Sequence, residues 1–505
     1  MMFKRKLSRC LTFIFVISVF CLASLLLSSF PVENRDLPYD YSVLNKTVAA
    51  ASAKATTLPP ADKLNNSKYD DKSIWKDLFQ IPEGFEDIVQ SFHFLNFHHE
   101  VKNEAIFGPV NTSEVVIVVQ VHERLEYLKY LISTLKETKG IEKALVVFSH
   151  DMNHDEINAE IQKIDFCRVI QIFFPYNIQV IQIFFPYNIQ VFANVFPGSD
   201  PADCSSNSTK LEALASGCKN YLNHDSYGHY RIPGISQIKH HWWWKMNYVF
   251  DGIIRRYNLT SAYVVLLEED HYVSPDFIHV LQMMAKFRPT ICPTCKILTL
   301  GIYLKNYKSY LQNIDKFGVN YWFSSKHNMG MAFTYETWEE IRNCSRLFCV
   351  YDDYNWDWSL LQISLKCLPE KLRVLFVKSP RVIHIGECGV HTHRCGIRNA
   401  AESARELFAT HNASLFPTQF SMAEISNRML KSSKPNGGWG DLRDQELCLV
   451  NSFPNNETSA CGRILPRIFV VKKFRLLLGK SKAKKSSLKK DIYRFCQCAL
   501  RRSDM

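Results

Sequence analysis

Three consecutive carboxylates, Glu268, Glu269 and Asp270, follow an uninterrupted apolar run that begins at Tyr263. A run rich in Val and Leu predicts a strand covered on both faces. The carboxylates then lie at the carboxyl edge of the sheet, which is where open α/β sheets bind ligands. Adjacent like charges repel one another unless a cation is present, and hard oxygens suit Mg²⁺ or Mn²⁺. The triplet therefore predicts a metal site, and the alternative is an acidic cap at the end of a strand.

Polar side chains also follow two other predicted strands, residues 113–120 and 144–151. The second strand ends at Asp151, and the first leads into Gln120, Val121, His122, Glu123 and Arg124. An Arg and an Asp at this edge could hold a nucleotide base and phosphate by directed hydrogen bonds. Taken singly, each of the two is better explained as a helix cap or a surface ion pair.

Residues 237–245 read Gln-Ile-Lys-His-His-Trp-Trp-Trp-Lys. Three consecutive indoles point to three sides of a helix, so a single core face does not account for all of them. We expect some of the indoles to be core, and Gln237, Lys239 and His241 to meet an anionic ligand.

Three further segments carry functional groups. Residues 325–330 place Asn328 beside an imidazole and a glycine, which suits a hydroxyl-rich ligand. Residues 351–358 mix three carboxylates with aromatic rings, a combination that suits sugar binding and base catalysis, and an Asp/Asn-rich turn with a Trp anchor is the less favoured alternative. His384 ends a short apolar strand, where a lone His is usually a core residue unless an acidic cluster needs a second metal ligand.

The elements that position these groups alternate between strand and helix. An amphipathic helix is predicted over residues 125–139, between the first two strands, with Leu128, Leu131, Ile132 and Leu135 on its apolar face. Strand, helix and strand with polar ends predict a parallel α/β sheet. Because no Gly-x-Gly-x-x-Gly follows the first strand, a dinucleotide site of that kind is not supported.

Residues 170–180 are repeated without change as residues 181–191. Solenoids need several diverged copies, so one perfect copy indicates a recent duplication or an assembly error rather than a fold feature. We expect that the extra copy does not fit the same strand slot and forms a bulge of lower stability.

The formal charge of +12 belongs to one end of the chain of 505 residues. Residues 463–505 hold 14 Lys and Arg against two Asp, so the preceding residues are neutral overall. The basic residues 449–505 are therefore predicted to be a disordered tail, and a nucleic-acid binder is not supported.

The first residues predict a membrane anchor. Four basic residues precede an apolar run over residues 10–30, long enough to cross a bilayer as a helix. The positive flank, residues 1–9, should stay cytoplasmic, with the bulk of the chain luminal. A cleaved signal peptide is the alternative. Residues 31–75 lack the apolar content for a core and predict a flexible stem.

Sixteen cysteines in a luminal chain favour disulfides. Cys292 and Cys295 form a Cys-x-x-Cys pair that could bind zinc, but a second matching pair is missing, so a local disulfide is favoured. Spacing alone does not fix the other pairings.

Eight segments in a fixed order closely resemble the N-acetylglucosaminyltransferase II family, and the resemblance runs from about residue 85 to Cys448. The segments are residues 120–124, 196–200, 228–230, 239–245, 267–272, 327–330, 351–358 and 436–441. The resemblance implies a GT-A glycosyltransferase fold, a Rossmann-like mixed sheet flanked by helices, over residues 76–448. It also implies UDP-N-acetylglucosamine as donor, Mn²⁺ as cofactor and a mannose of an N-glycan as acceptor.

The same resemblance assigns roles to single residues. Asp270 and His384 would bind the metal, Asp357 would be the catalytic base, and Asn328 would contact the acceptor. The donor-binding set would be Gln120, Val121, His122, Glu123, Arg124, Asp151, Gln237, Ile238, Lys239, His240 and His241. The disulfides would be Cys204–Cys218, Cys292–Cys295, Cys344–Cys367, Cys349–Cys448 and Cys388–Cys395. This leaves Cys167 and Cys461 unassigned, besides Cys10 and Cys21 in the anchor and Cys496 and Cys498 in the tail.

The reaction implied is inverting transfer of N-acetylglucosamine to the 2-hydroxyl of the α-1,6-arm mannose, in a single-pass type II protein of the Golgi membrane. A homodimer is compatible with the resemblance. Two alternatives stay open: a related β-1,2-N-acetylglucosaminyltransferase acting on another mannose, and a luminal glycan-binding protein that has lost catalysis.

Overall fold

The computed structural model describes residues 101–170, 182–184, 187–304, 306–386, 388–389, 392–393, 397–427 and 434–452. The predicted cytoplasmic residues, anchor and stem, and the tail from residue 453 onward, lie outside this part. Across the described residues, no helix is both long and apolar enough to span a bilayer.

The strands are β1 Val101–Lys102, β2 Val115–Val121, β3 Ala144–His150, β4 Arg168–Ile170, β5 Gln182–Phe184, β6 Tyr263–Glu268, β7 His271–Val273, β8 Cys295–Thr299, β9 Lys316–Tyr321, β10 Met331–Phe333, β11 Arg373–Val377, β12 Val382–His384, β13 Cys388–Gly389, β14 Thr392–His393 and β15 Ser421–Ile425. The helices are α1 Glu104–Phe107, α2 Leu125–Glu137, α3 Asp155–Gln162, α4 Lys210–Ser216, α5 Pro233–Tyr248, α6 Phe277–Ile291, α7 Ser324–His327, α8 Tyr335–Asn343, α9 Ser345–Val350, α10 Trp356–Lys366, α11 Ile397–Thr410 and α12 Leu442–Val450.

One large mixed sheet organises these elements, in the order β1-β4-β3-β2-β6-β10-β8-β11-β9-β15, with β5 also paired to β3. Strands β4, β3, β2 and β6 run parallel, whereas β10 is antiparallel to both of its neighbours. Strands β7 and β12 form a separate antiparallel pair. The mixed α/β class is therefore confirmed, and the predicted parallel region is the half of the sheet that contains β2, β3 and β6.

The Val-rich strand β2 is buried on both faces because its side chains alternate between two cores. Val116 and Val118 join one apolar cluster, whereas Ile117 and Val119 join the other. Helix α2 packs Leu128 onto the second cluster, as its 3.6-residue pattern predicts. The strand is thus fixed from both sides, which holds the polar residues that follow it in place.

Helix α5 is buried all round rather than on one face. Trp242, Trp243 and Trp244 are all core residues. Trp242 stacks on Trp356 with ring centroids 4.4 Å apart, and Trp243 stacks on Phe348 at 4.1 Å. Consecutive indoles point to different sides of the helix, and all three are buried because the helix has apolar neighbours on each of these sides.

Strands β4 and β5, one from each copy of the eleven-residue repeat, pair with consecutive residues of β3. Ile170 of β4 pairs with Val147 of β3, and Gln182 of β5 pairs with the next residue of β3, Phe148. The pairing on β3 thus advances by one residue while the chain advances by twelve. The expectation that the extra copy forms a bulge of lower stability stays a prediction. Residues 171–181 lie outside the described part.

Four of the five implied disulfides are formed: Cys204–Cys218, Cys292–Cys295, Cys344–Cys367 and Cys349–Cys448. The zinc alternative for the Cys-x-x-Cys pair is therefore wrong. The fifth pairing, Cys388–Cys395, stays a prediction because Cys395 lies outside the described residues. Among the described cysteines, Cys167 is buried and has no disulfide partner.

Candidate active site

Three neighbouring parallel strands deliver polar residues to one edge of the sheet. Gln120 at the end of β2 is in register with Glu268 of β6 on one side and with Ser149 of β3 on the other. Because the strands are parallel and in register, the segments that follow them begin side by side. The predicted edge site is thus assembled from the ends of β2, β3 and β6.

The first part of the site centres on Asp151, a buried carboxylate. Its Oδ1 lies 2.8 Å from Nδ1 of His122, and its Oδ2 accepts a 3.1 Å hydrogen bond from Nε2 of Gln237. His241 lies 3.8 Å from the same Oδ2 and is 2.8 Å from Ser149 Oγ through its Nε2. Burial lowers the pKa of His122, but the hydrogen bond and charge of Asp151 outweigh it and raise that pKa to about 9.

A cationic imidazole and a buried carboxylate therefore stand at the ends of adjacent strands, with the imidazole partly open to solvent. Hydrogen bonds from such a pair can orient a polar heterocycle or a phosphate. Glu123, the next residue, is exposed and lies 3.8 Å from His122. Val121 is a core residue, so its side chain packs and only its backbone can face a ligand.

The second part of the site is an ion-pair network around Arg124. The guanidinium donates to Oε1 of Glu269 at 2.7 Å and lies 2.8 Å from Oδ2 of Asp270. Glu269 also accepts hydrogen bonds from the backbone N–H groups of His122 and Arg124. Glu269 thus fixes the segment that follows β2, so its role is to position that segment.

The carboxylate of Asp270 has the features of a metal ligand. Its Oδ2 lies 3.0 Å from Nε2 of His384, while its Oδ1 is buried and accepts no hydrogen bond from the residues that the structure describes. A buried carboxylate oxygen without a partner is costly, and a cation would satisfy it. Gly386 packs directly against this carboxylate, because a Cβ at that position would lie 2.1 Å from Oδ2 and collide with it.

Ligand atoms of Glu268, Asp270 and His271 lie within 4.8 Å of one another. Carboxylate oxygen and imidazole nitrogen are donors that suit Mn²⁺, so the residues present fit the implied cofactor. In this cluster His271 accepts a hydrogen bond from the backbone N–H of Glu268 through Nδ1. That bond fixes the ring of His271 against the end of β6.

Asp357 lies in the first turn of α10, on the other side of the site. Burial raises the pKa of its carboxyl to about 7; the N–H of Trp358 partly offsets this, and the charges of Asp353 and Glu268 add to it. A carboxylate with a pKa near neutrality is suited to accept a proton at physiological pH.

Tyr303 connects Asp357 with the metal-ligand cluster. Burial and the charges of Glu268, Asp270 and Asp357 raise the pKa of its phenol, and a hydrogen bond with the side chain of Asn328 partly offsets them. The ring is about half exposed. Asn328, Asp357 and the carboxylates of Glu268 and Asp270 thus lie around Tyr303, and the roles that the resemblance assigns to them stay predictions.

Not all residues of the α5 segment face this place. Lys239 and His240 are fully buried: Lys239 Nζ donates to two backbone carbonyls, and His240 Nε2 lies 2.9 Å from Oδ1 of Asp444. Ile238 packs against the core. Direct donor contact by these three side chains stays a prediction, and their placement is that of structural groups. Gln237 and His241, by contrast, lie beside Asp151.

Sequence reasoning missed three residues of the site: His271, Tyr303 and Gly386. His271 directly follows Asp270, so the pattern of alternating side chains around the acidic triplet could have included it. Tyr303 and Gly386 lie in connecting segments, and their positions depend on long-range packing that no local pattern carries.

Comparison with known proteins gives a consistent result. A family model described as N-acetylglucosaminyltransferase II (MGAT2) matches residues 89–181 and 178–448. The two matched pieces meet inside the eleven-residue repeat, in agreement with the pairing of β4 and β5 on β3.

Curated relatives match the same region. The alpha-1,6-mannosyl-glycoprotein 2-beta-N-acetylglucosaminyltransferase of Mus musculus is 42% identical over 362 residues, which cover 70% of this chain and 78% of the mouse protein. The protein of the same name from Homo sapiens is 41% identical over 359 residues, covering 70% and 77%. The Arabidopsis thaliana protein of that name is 29% identical over 357 residues, covering 70% and 78%.

Proposed function

Because the chain belongs to the N-acetylglucosaminyltransferase II family, we propose that it transfers N-acetylglucosamine from UDP-N-acetylglucosamine to the 2-hydroxyl of the α-1,6-arm mannose of an N-glycan. The fold is proposed to be of the GT-A type. The observation that carries the proposal is the convergence of Asp357, with its raised pKa, on the carboxylates that follow β6.

The chemistry is a direct displacement with inversion. The mannose 2-hydroxyl oxygen forms a bond to the anomeric carbon of the donor while the bond from that carbon to UDP breaks. The proton of the hydroxyl passes to the carboxylate of Asp357, whose pKa of about 7 suits this transfer. The hydrogen bond from Trp358 N to Oδ1 of Asp357 orients the carboxylate.

The donor is proposed to lie across the carboxyl ends of β2 and β3, where Gln120, His122, Asp151 and Gln237 offer polar groups. The positive charge of His122, held by Asp151, favours the anionic part of the donor. Asn328 is proposed to contact the acceptor, since it is bonded to Tyr303 close to Asp357.

Asp270 and His384 are proposed to hold Mn²⁺, with Glu268 and His271 beside them. When bound, Mn²⁺ supplies Lewis-acid stabilisation of the charge on the departing UDP. Replacement of Asp270 by Ala is expected to abolish the dependence of UDP binding on Mn²⁺. Unchanged Mn²⁺-dependent binding in calorimetry would count against the assignment.

An acceptor panel tests the transfer itself. The purified full-length chain is incubated with UDP-N-acetylglucosamine and two N-glycans, one with N-acetylglucosamine on the α-1,3 arm and one with both arms bare. We expect transfer only to the first glycan, at the α-1,6 arm. Transfer to another mannose would indicate a related β-1,2-transferase, and glycan binding without turnover would indicate an inactive lectin-like protein.

We also propose a Golgi location, with the catalytic part luminal. The proposal rests on the apolar run over residues 10–30, on the basic residues before that run, and on the family to which the chain belongs. Protection of an epitope tag at residue 452 from protease in sealed Golgi vesicles is expected. Cleavage without detergent would contradict it.

A further inference from the structure

Helix α5 carries two buried lysines that contact different parts of the site. Lys239 and Lys245 have 0% and 1% of their surface exposed. They are six residues apart, which places them about 120° apart around the helix. Nζ of Lys245 donates a 2.6 Å hydrogen bond to Oε1 of Gln120, at the end of β2. Lys239 points to another element.

The ammonium of Lys239 is bound to the segment that leads to the proposed base. It donates to the carbonyl oxygens of Tyr351 at 3.0 Å and Asp353 at 2.9 Å. It also lies 4.3 Å from the centroid of the Trp439 ring. A buried cation with two carbonyl acceptors and an aromatic face is fully engaged in the protein.

The segment held by Lys239 is short and rigid. Asp353, which is fully buried, accepts hydrogen bonds from the backbone and side chain of Asn355 through Oδ1, and from those of Asn436 through Oδ2. Asn355 is the N-cap residue of α10, and Asp357 lies in the first turn of that helix. The position of the Asp353 backbone therefore sets where α10 begins and where the carboxylate of Asp357 lies.

We propose that Lys239 is a positioning residue for the Asp357 segment and not a ligand of the donor. The inference rests on the proposed role of Asp357 as the base. It separates the two buried lysines by function: Lys239 places the base, and Lys245 places the donor-binding segment through Gln120.

Paired substitutions in the full-length chain test this separation. Lys239→Met removes the charge and both hydrogen bonds but keeps an unbranched side chain only one heavy atom shorter. We expect kcat to fall about 100-fold, because a displacement of about 1 Å at a reacting group has that effect. The KM for UDP-N-acetylglucosamine and the Kd for UDP are expected to stay within about twofold, since the donor-binding residues keep their partners.

Lys245→Met is the matched control, because it removes a lysine of equal burial from the same helix. We expect it to weaken UDP binding about tenfold through the loss of the bond to Gln120, with a smaller effect on kcat than Lys239→Met. The unfolding midpoint of each variant is measured to show that both remain folded. The two lysines are then distinguished by which quantity falls most: kcat for Lys239→Met and donor affinity for Lys245→Met.

A second variant keeps the inference testable if Lys239→Met does not fold. Asn436→Ala removes one side-chain hydrogen bond to Asp353 from an exposed residue outside the Asp357 segment, and it should also lower kcat with the donor KM unchanged.

Two results would overturn the inference. In the first, Lys239→Met raises the donor KM and leaves kcat unchanged, which would make Lys239 a donor ligand. In the second, both lysine variants change kcat and KM in the same pattern, and the size of the change follows the loss of stability of each variant. Both lysines would then be purely structural groups. Asp357→Asn is assayed in parallel: retained turnover there would refute the base assignment itself, whatever Lys239 does.

Discussion

Replacement of Asp357 by Asn is expected to stabilise the metal-free protein while it abolishes transfer. The pKa of this carboxyl is raised from 3.8 to about 7, mainly by burial. A raised carboxyl pKa in the folded state means that folding favours the protonated form, so ionisation at high pH costs stability. Asparagine has the same shape and carries no charge to bury, and its Oδ1 can still accept the N–H of Trp358.

The size of this effect follows from the pKa difference. A shift of about three pKa units corresponds to an upper limit of about 4 kcal/mol at pH 8, where the folded carboxyl is mostly ionised. At pH 5 the folded carboxyl is protonated and the unfolded one is ionised, so the limit falls to about 2 kcal/mol. Below pH 3.8 both states are protonated and the advantage should vanish. Local hydration reduces the measured values to about half of these limits.

Urea unfolding in EDTA at pH 8, 6.5 and 5 measures this advantage as the difference in free energy of unfolding between variant and wild type. Asp352→Asn is the control, because the carboxylate of Asp352 accepts hydrogen bonds from Ser226 and from the backbone N–H of Trp439, and its loss should destabilise the protein. An Asp357→Asn protein that is less stable than wild type at pH 8, or an advantage that does not change with pH, would refute the reasoning.

The remaining predictions concern the scaffold. Deletion of residues 171–181 should leave activity intact and raise the free energy of unfolding by about 1 to 2 kcal/mol, because β4 and β5 pair with consecutive residues of β3 and a shorter connection between them costs less entropy to close. Loss of folding would contradict this. Replacement of Cys349 and Cys448 by Ala should lower the free energy of unfolding by about 4 to 5 kcal/mol, since their disulfide closes a loop of 99 residues. Calorimetric unfolding of the oxidised wild type and the variant measures this loss. A change below about 1 kcal/mol would show that the disulfide does not restrict the unfolded chain.

Strand ends could be predicted well because two local signals coincide there. The apolar run of β6 and the carboxylates after it indicate both a buried strand and its functional edge, and the structure has β6 end at Glu268. The same holds for β2 and β3, which end at Val121 and His150. In a parallel sheet the carboxyl ends of the strands lie along the same edge, so the same pattern in three separate segments predicts a single site at that edge.

The α5 segment shows where such reasoning stops. Consecutive residues of a helix point about 100° apart, so Gln237 and His241, four residues apart, share one face, whereas Lys239 points away from both. Sequence indicates a polar cluster before three indoles, but which of its members faces the ligand depends on elements far away in the chain. Asp151 lies beside Gln237 and His241, whereas the carbonyls of residues 351 and 353 lie beside Lys239.

Two buried lysines on a core helix are a poor device for stability alone. Burial lowers the pKa of Lys239 to about 7 against the raising effect of Asp353, and it lowers the pKa of Lys245 as well. An apolar side chain of similar length would pack at these positions without the desolvation cost of an ammonium group. What an apolar side chain lacks is the directed hydrogen bond: to two carbonyls before α10 in one case, and to the amide of Gln120 in the other. Both partners belong to the segments that carry the proposed chemistry. We infer that the two buried ammonium groups are kept because their hydrogen bonds let one helix fix the distance between the donor-binding edge and the base.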